Sequence, residues 1–130
     1  MKKLNHSYWP AIFWSAIIII LLSIPGSDLP NETNFMNIPH ADKWVHMALF
    51  ALLVILWCGI VRYKNPVARL TLPFTIITIA AIVFGYLMEL VQKFWVANRD
   101  YDMWDVAADS VGAVAGLIFS LIVYKKNRPL

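Results

Sequence analysis

Nine side chains in this sequence bring acid, base and cation chemistry together at helical spacings: Asp42, Lys43 and His46, then Glu89 and Gln92, then Arg99, then Asp102, Asp105 and Asp109. Asp42 and His46 are four residues apart, so they share one face of a helix, with Phe50 next along it. Gly85, Glu89 and Gln92 form a second such face, and Asp102, Asp105, Asp109, Gly112 and Gly116 form a third by successive steps of three or four. Two chemistries suit these residue types. Carboxylates with an imidazole hold a divalent cation such as Mg²⁺ or Zn²⁺. Alternatively, Arg99 and Lys43 hold a phosphate or carboxylate, with His46 and Glu89 as acid and base. A third reading is structural: a polar network that locks three helices together.

The rest of the chain makes these residues conspicuous. Of 130 residues, 60% are hydrophobic and 15% charged, with mean hydropathy +0.63. A soluble domain carries roughly 25% charged residues. The apolar residues lie in long runs and not in periodic stripes, which predicts an all-α integral membrane bundle forming a single domain over 1–130. The lone Cys58 sits mid-run between Trp57 and Gly59 and reads as a small buried hydrophobe.

Four segments approach the roughly 20 apolar residues that span a bilayer. They are expected at about residues 8–24, 42–61, 70–94 and 102–124. The first follows Lys2 and Lys3, which resemble the basic start of a signal peptide. It ends in Ser23-Ile24-Pro25, and proline is a poor residue at a cleavage site, so the segment reads as a retained helix. A polar, punctuated loop follows, 25–41. Residues 62–66 make a basic turn, and Pro73 is tolerated in the first turn of the third helix. Residues 95–101 link the third and fourth helices.

Charge asymmetry orients the bundle. With both termini in the cytoplasm, Lys2, Lys3, Arg62, Lys64, Arg69, Lys125, Lys126 and Arg128 lie inside, eight of the 11 basic residues. Lys43, Lys93, Arg99 and all eight acids (Asp28, Glu32, Asp42, Glu89, Asp100, Asp102, Asp105 and Asp109) lie outside. The pI near 9.1 is therefore explained by an inner-leaflet anchor, worth about 1 kcal/mol per basic residue near anionic lipid, and nucleic-acid binding is not expected. The start of the second helix, the end of the third and the start of the fourth then meet at the outer interface.

Each candidate has a bland reading beside the chemical one. Asp42 suits a helix N-cap, Lys43 can snorkel to head groups, and Asp102 and Asp105 suit the positive end of the helix dipole. His46 lies a turn inside the apolar run, where a satisfied structural histidine is one reading. Glu89 lies one to two turns below the surface, where a carboxylate costs on the order of 1–3 kcal/mol unless paired or protonated. Asp109 is too deep in its helix for the dipole to explain. Gly85 permits close approach of another helix, and Gly112-x3-Gly116 is a small-x3-small packing motif that brings the acids into the tightest part of the bundle.

The ordered set Asp42-Lys43-x2-His46, Gly85-x3-Glu89-x2-Gln92, Arg99 and Asp102-x2-Asp105-x3-Asp109-x2-Gly112-x3-Gly116 resembles the VanZ-like family, over roughly Ile38 to Leu121. The resemblance implies a small multi-pass membrane protein of the cell envelope, linked to resistance to the glycopeptide antibiotic teicoplanin. It implies no defined reaction. The family usually has Asn where this chain has Asp109, which replaces a neutral amide by a titratable carboxyl group and favours pairing with Arg99, His46 or a cation.

The resulting expectation is a pocket facing the extracytoplasmic side that binds, or also modifies, an anionic or lipid-linked envelope component. His46 and Glu89 are expected to transfer protons, Asp105 and Asp109 to orient groups or hold a metal, and Asp42, Lys43, Gln92, Arg99 and Asp102 to contact the ligand. Membrane lipids or a lipid-linked precursor are the expected partners, and a divalent cation is the candidate cofactor. The alternative is a non-catalytic transporter subunit or structural protein. A transporter more often shows broken helices or inverted halves, neither visible here, and a transport pathway through so short a chain would call for a homo-oligomer.

Overall fold

The computed structural model describes residues 8–23, 41–64, 69–95 and 103–126. They form four helices: α1 (Trp9–Leu22), α2 (Ala41–Lys64), α3 (Thr71–Trp95) and α4 (Met103–Lys126). The described residues contain no strand. Three segments are long and apolar enough to cross a membrane: Lys43–Lys64, Thr71–Trp95 and Met103–Tyr124. The first helix covers 14 residues, about 21 Å at 1.5 Å per residue. That is shorter than the roughly 30 Å hydrocarbon core, so the span expected at 8–24 is a shorter apolar helix among the described residues.

Helix starts follow proline chemistry. Pro10 lies in the first turn of α1, and Pro73 in the first turn of α3, where the Phe74 N–H reaches the Leu70 carbonyl at 3.0 Å. Neither proline removes an intrahelical bond, because the first N–H groups of a helix have no partner within it. At the far end of α1, Ser23 caps with its N–H on the Ile19 carbonyl. Pro25, two residues on, cannot continue the helix.

Contacts between helices fix their directions. The Trp14 indole N–H donates to the Leu49 carbonyl at 3.0 Å, Trp57 Nε1 donates to Ser15 Oγ at 3.2 Å, and Tyr8 meets Trp57. α1 and α2 therefore run antiparallel. Phe74 near the start of α3 stacks edge-on against Tyr124 near the end of α4, which makes that pair antiparallel too. Arg62 Nε donates to the Tyr124 carbonyl at 3.2 Å, and His46 meets Asp109 at the other end, so α2 and α4 are parallel.

Among the described helices α2 and α4 make the most extensive contact, and glycine explains it. A carbon built on Gly112 would run into the Met47 backbone, and one on Gly116 would lie 2.6 Å from the Ala51 carbonyl oxygen. Met47 and Ala51 are themselves four apart, so the two four-residue repeats mesh backbone to backbone. The buried residues of α3 (Phe74, Thr78, Ala81, Gly85, Met88, Glu89 and Gln92) form one stripe at steps of three and four. Large apolar side chains cover the outside instead, among them Trp9, Ile20, Leu72, Ile76, Ile118 and Ile122. A chain that buries Glu89, Gln92 and Asp109 and exposes these is patterned for an apolar solvent.

Candidate functional site

The antiparallel arrangement brings the start of α2, the end of α3 and the start of α4 to one end of the bundle. His46, Glu89, Asp105 and Asp109 meet there and are all buried, Glu89 and Asp109 to 1% exposure. Lys43 does not turn to the surface. Its Nζ donates to Asp105 Oδ1 at 2.6 Å, with its side chain 18% exposed and that of Asp105 9%. One helical turn further in, His46 Nδ1 lies 2.7 Å from Asp109 Oδ1. With Asp109 ionised, its carboxylate accepts and the ring donates from Nδ1. The other ring nitrogen, Nε2, faces Asp105 Oδ2 at 3.7 Å, beyond hydrogen-bond range. Ligand atoms of His46, Glu89 and Asp105 all lie within 4.8 Å of one another.

The seat for Asp109 is provided by α3. A Cβ on Gly85 would come within 2.7 Å of Asp109 Oδ2 and 3.0 Å of Asp109 Cβ, so only glycine leaves room for the carboxylate. Gln92 reaches the other way: its Nε2 donates to the Leu22 carbonyl at 2.7 Å and ties the end of α3 to the end of α1. Among the described residues, Asp109 Oδ2 and Gln92 Oε1 are buried and have no hydrogen-bond partner. A closed packing network rarely leaves such acceptors, since each buried unsatisfied polar group costs on the order of 1–3 kcal/mol.

Of the residues singled out from the sequence, Lys43, His46, Glu89, Asp105 and Asp109 thus come together, with Gly85 beneath them and Gly112 and Gly116 closing α4 onto α2. Gln92 lies on the same stripe of α3 as Glu89 but spends its amide donor on α1. Arg99 and Asp102 lie outside the described residues, and so does the Asp42 side chain.

Hollows open between the described helices. One, of about 350 Å³, is walled by Ile19, Leu53, Trp57, Ile77 and Phe84 and lies away from the charged residues. Another, of about 670 Å³, is a groove between α2 and α4 lined by Lys43, Trp44, Met47, Trp104, Ala107, Ala108 and Val111. Lys43 belongs both to this groove and to the buried cluster. Trp44 and Trp104 are functional candidates that the motif reading missed. Their signal was available, since tryptophan beside the charged start of an apolar helix marks a membrane interface.

Compared with known protein families, curated proteins and solved structures, the chain matches none.

Proposed function

We propose that this chain is a multi-pass membrane protein of the cell envelope, with both termini cytoplasmic, that binds an anionic amphiphile from the extracytoplasmic leaflet. The observation that carries the reading is the position of Lys43. Its stem lines an apolar groove with two tryptophans, and its ammonium rests on a buried cluster of His46, Glu89, Asp105 and Asp109. Such a groove takes an acyl or prenyl chain, and the ammonium meets a phosphate or carboxylate head group. The charge asymmetry of the sequence supports the orientation. The ordered motifs support a VanZ-like protein acting in teicoplanin tolerance, with His46 and Glu89 as the groups able to move a proton at the head group.

A second reading is favoured by one observation: two polar contacts of the cluster, Lys43 to Asp105 and His46 to Asp109, both bridge α2 and α4. On that reading the cluster is a clamp without a ligand. The two readings separate when tolerance and membrane abundance are measured together for Glu89→Gln and Lys43→Gln. Retained abundance with lost tolerance supports the binding site. Abundance and tolerance falling in step supports the clamp, and unchanged tolerance in both variants contradicts both readings.

A further inference from the structure

The two ring nitrogens of His46 have different surroundings. Nδ1 lies 2.7 Å from Asp109 Oδ1, and a neutral ring whose proton is held by that carboxylate has its lone pair on Nε2. Nε2 lies 3.7 Å from Asp105 Oδ2, and a Glu89 carboxylate oxygen completes a set of ligand atoms within 4.8 Å of one another. One imidazole and two carboxylates, from three helices, therefore bring potential ligand atoms to one volume, a donor set that divalent cations take.

We propose that His46 Nε2, Asp105 Oδ2 and one Glu89 carboxylate oxygen bind a single divalent transition-metal ion, Zn²⁺ or Mn²⁺. This deepens the reading given above by naming a cofactor for the same cluster. The distances suit it. An ion bound at about 2.0–2.2 Å holds its ligand atoms roughly 3.0–3.6 Å apart. Nε2 and Oδ2 are 3.7 Å apart, and the whole set fits within 4.8 Å, about 1 Å from closure. One imidazole with two carboxylates is a borderline-to-hard donor set, which matches these two ions and disfavours Cu(I).

The surroundings of the ligands give independent support. Metal-bound histidines donate their other N–H to a carboxylate, and ligating carboxylates are themselves hydrogen-bonded. Asp109 supplies the first partner to His46, and Lys43 supplies the second to Asp105 through Oδ1, leaving Oδ2 to the ion. Asp109 is therefore a positioning residue, and Gly85 positions it in turn. Three protein ligands leave a further coordination position open, the pattern of ions that take water or substrate.

The test uses full-length protein in detergent, stripped with a chelator and titrated with Zn²⁺ and, separately, Mn²⁺. The expected result is one ion per chain, lost in His46→Ala and Glu89→Gln. In Asp109→Asn the expected stoichiometry is unchanged and the affinity 10- to 100-fold weaker, as when an outer-shell partner is altered. Electron spin-echo modulation of the Mn²⁺-loaded wild type should show an imidazole nitrogen, a readout that needs no variant to fold. The proposal is overturned if the wild type takes up neither ion, if His46→Ala binds as tightly as wild type, or if bound Mn²⁺ shows no nitrogen. Since every readout is binding, a protein that confers tolerance yet takes up no ion would remove the metal and leave the amphiphile site standing.

Discussion

Gly85 of α3 lies directly against the carboxylate of Asp109 on α4: a carbon in place of the glycine hydrogen would meet Oδ2 at 2.7 Å and Cβ at 3.0 Å. The two positions are one joint, in which one helix lacks a side chain where the other places its deepest acid. Gly85→Ala is expected to lower thermal stability even though alanine is the better helix former by about 1 kcal/mol, because the crowding costs typically 1–3 kcal/mol. Combining it with Asp109→Ala removes the obstacle. A double-mutant cycle on detergent-solubilised protein should therefore give a coupling of about 1–2 kcal/mol between the two sites.

The α2–α4 seam should tolerate far less. Carbons at Gly112 and Gly116 meet backbone of Met47 and Ala51, which cannot swing aside as a side chain can. Gly112→Leu is expected to destabilise by more than about 3 kcal/mol, in the range reserved for severe overpacking. Membrane abundance and the melting temperature of any protein recovered check it. Val114→Leu, on the exposed face of the same helix, is the control that should change neither.

Lys43 and Asp105 should behave as a pair. Removing either partner leaves the other poorly solvated, and breaking a fully buried pair costs about 3–5 kcal/mol. With the Lys43 side chain 18% and the Asp105 side chain 9% exposed, the expected cost of Lys43→Gln or Asp105→Asn is lower, about 1–3 kcal/mol. The combination of both should be less damaging than the sum of the two singles, measured by thermal denaturation.

Gln92 should govern how firmly α1 is attached. Its donation to the Leu22 carbonyl is a polar tie between the ends of α3 and α1. Gln92→Leu removes a bond worth about 1 kcal/mol net. The expected consequence is faster amide hydrogen exchange in the last turn of α1, with the α2–α4 seam unchanged. Equal acceleration in both places would contradict this assignment.

Much of the fold was legible in the sequence because run length and charge are strong signals in an apolar chain. Helix boundaries moved by only a few residues. Residues 62–64 of the basic turn expected at 62–66 are helical, since α2 continues to Lys64, where Arg62 reaches the Tyr124 carbonyl and Lys64 lies over the Tyr8 ring; Asn65 and Pro66 lie outside the described residues. The meeting of Lys43, His46, Glu89, Asp105 and Asp109 follows from helical spacing, which fixes which side chains share a face; Arg99, Asp102 and the Asp42 side chain lie outside the described residues. The pairing of those that meet was not legible. Spacing says nothing of how each helix is rotated about its axis, so Asp109 had Arg99, His46 and a cation as equal candidates, and Lys43 was open between solvent and site. The glycines resolve this: Gly112 and Gly116 let α4 meet the backbone of α2, and Gly85 leaves room on α3 for the Asp109 side chain, which together set the rotations.

The central claim is that the buried cluster is a binding site and more than a clamp. Glu89→Gln keeps the volume of the side chain and one acceptor oxygen while removing its charge, so it separates the two. The decisive measurement is teicoplanin tolerance of a susceptible host producing wild type or Glu89→Gln, normalised to chain abundance in the same membranes. The account predicts wild-type abundance with tolerance reduced to that of the empty host. Tolerance per molecule equal to wild type would contradict it.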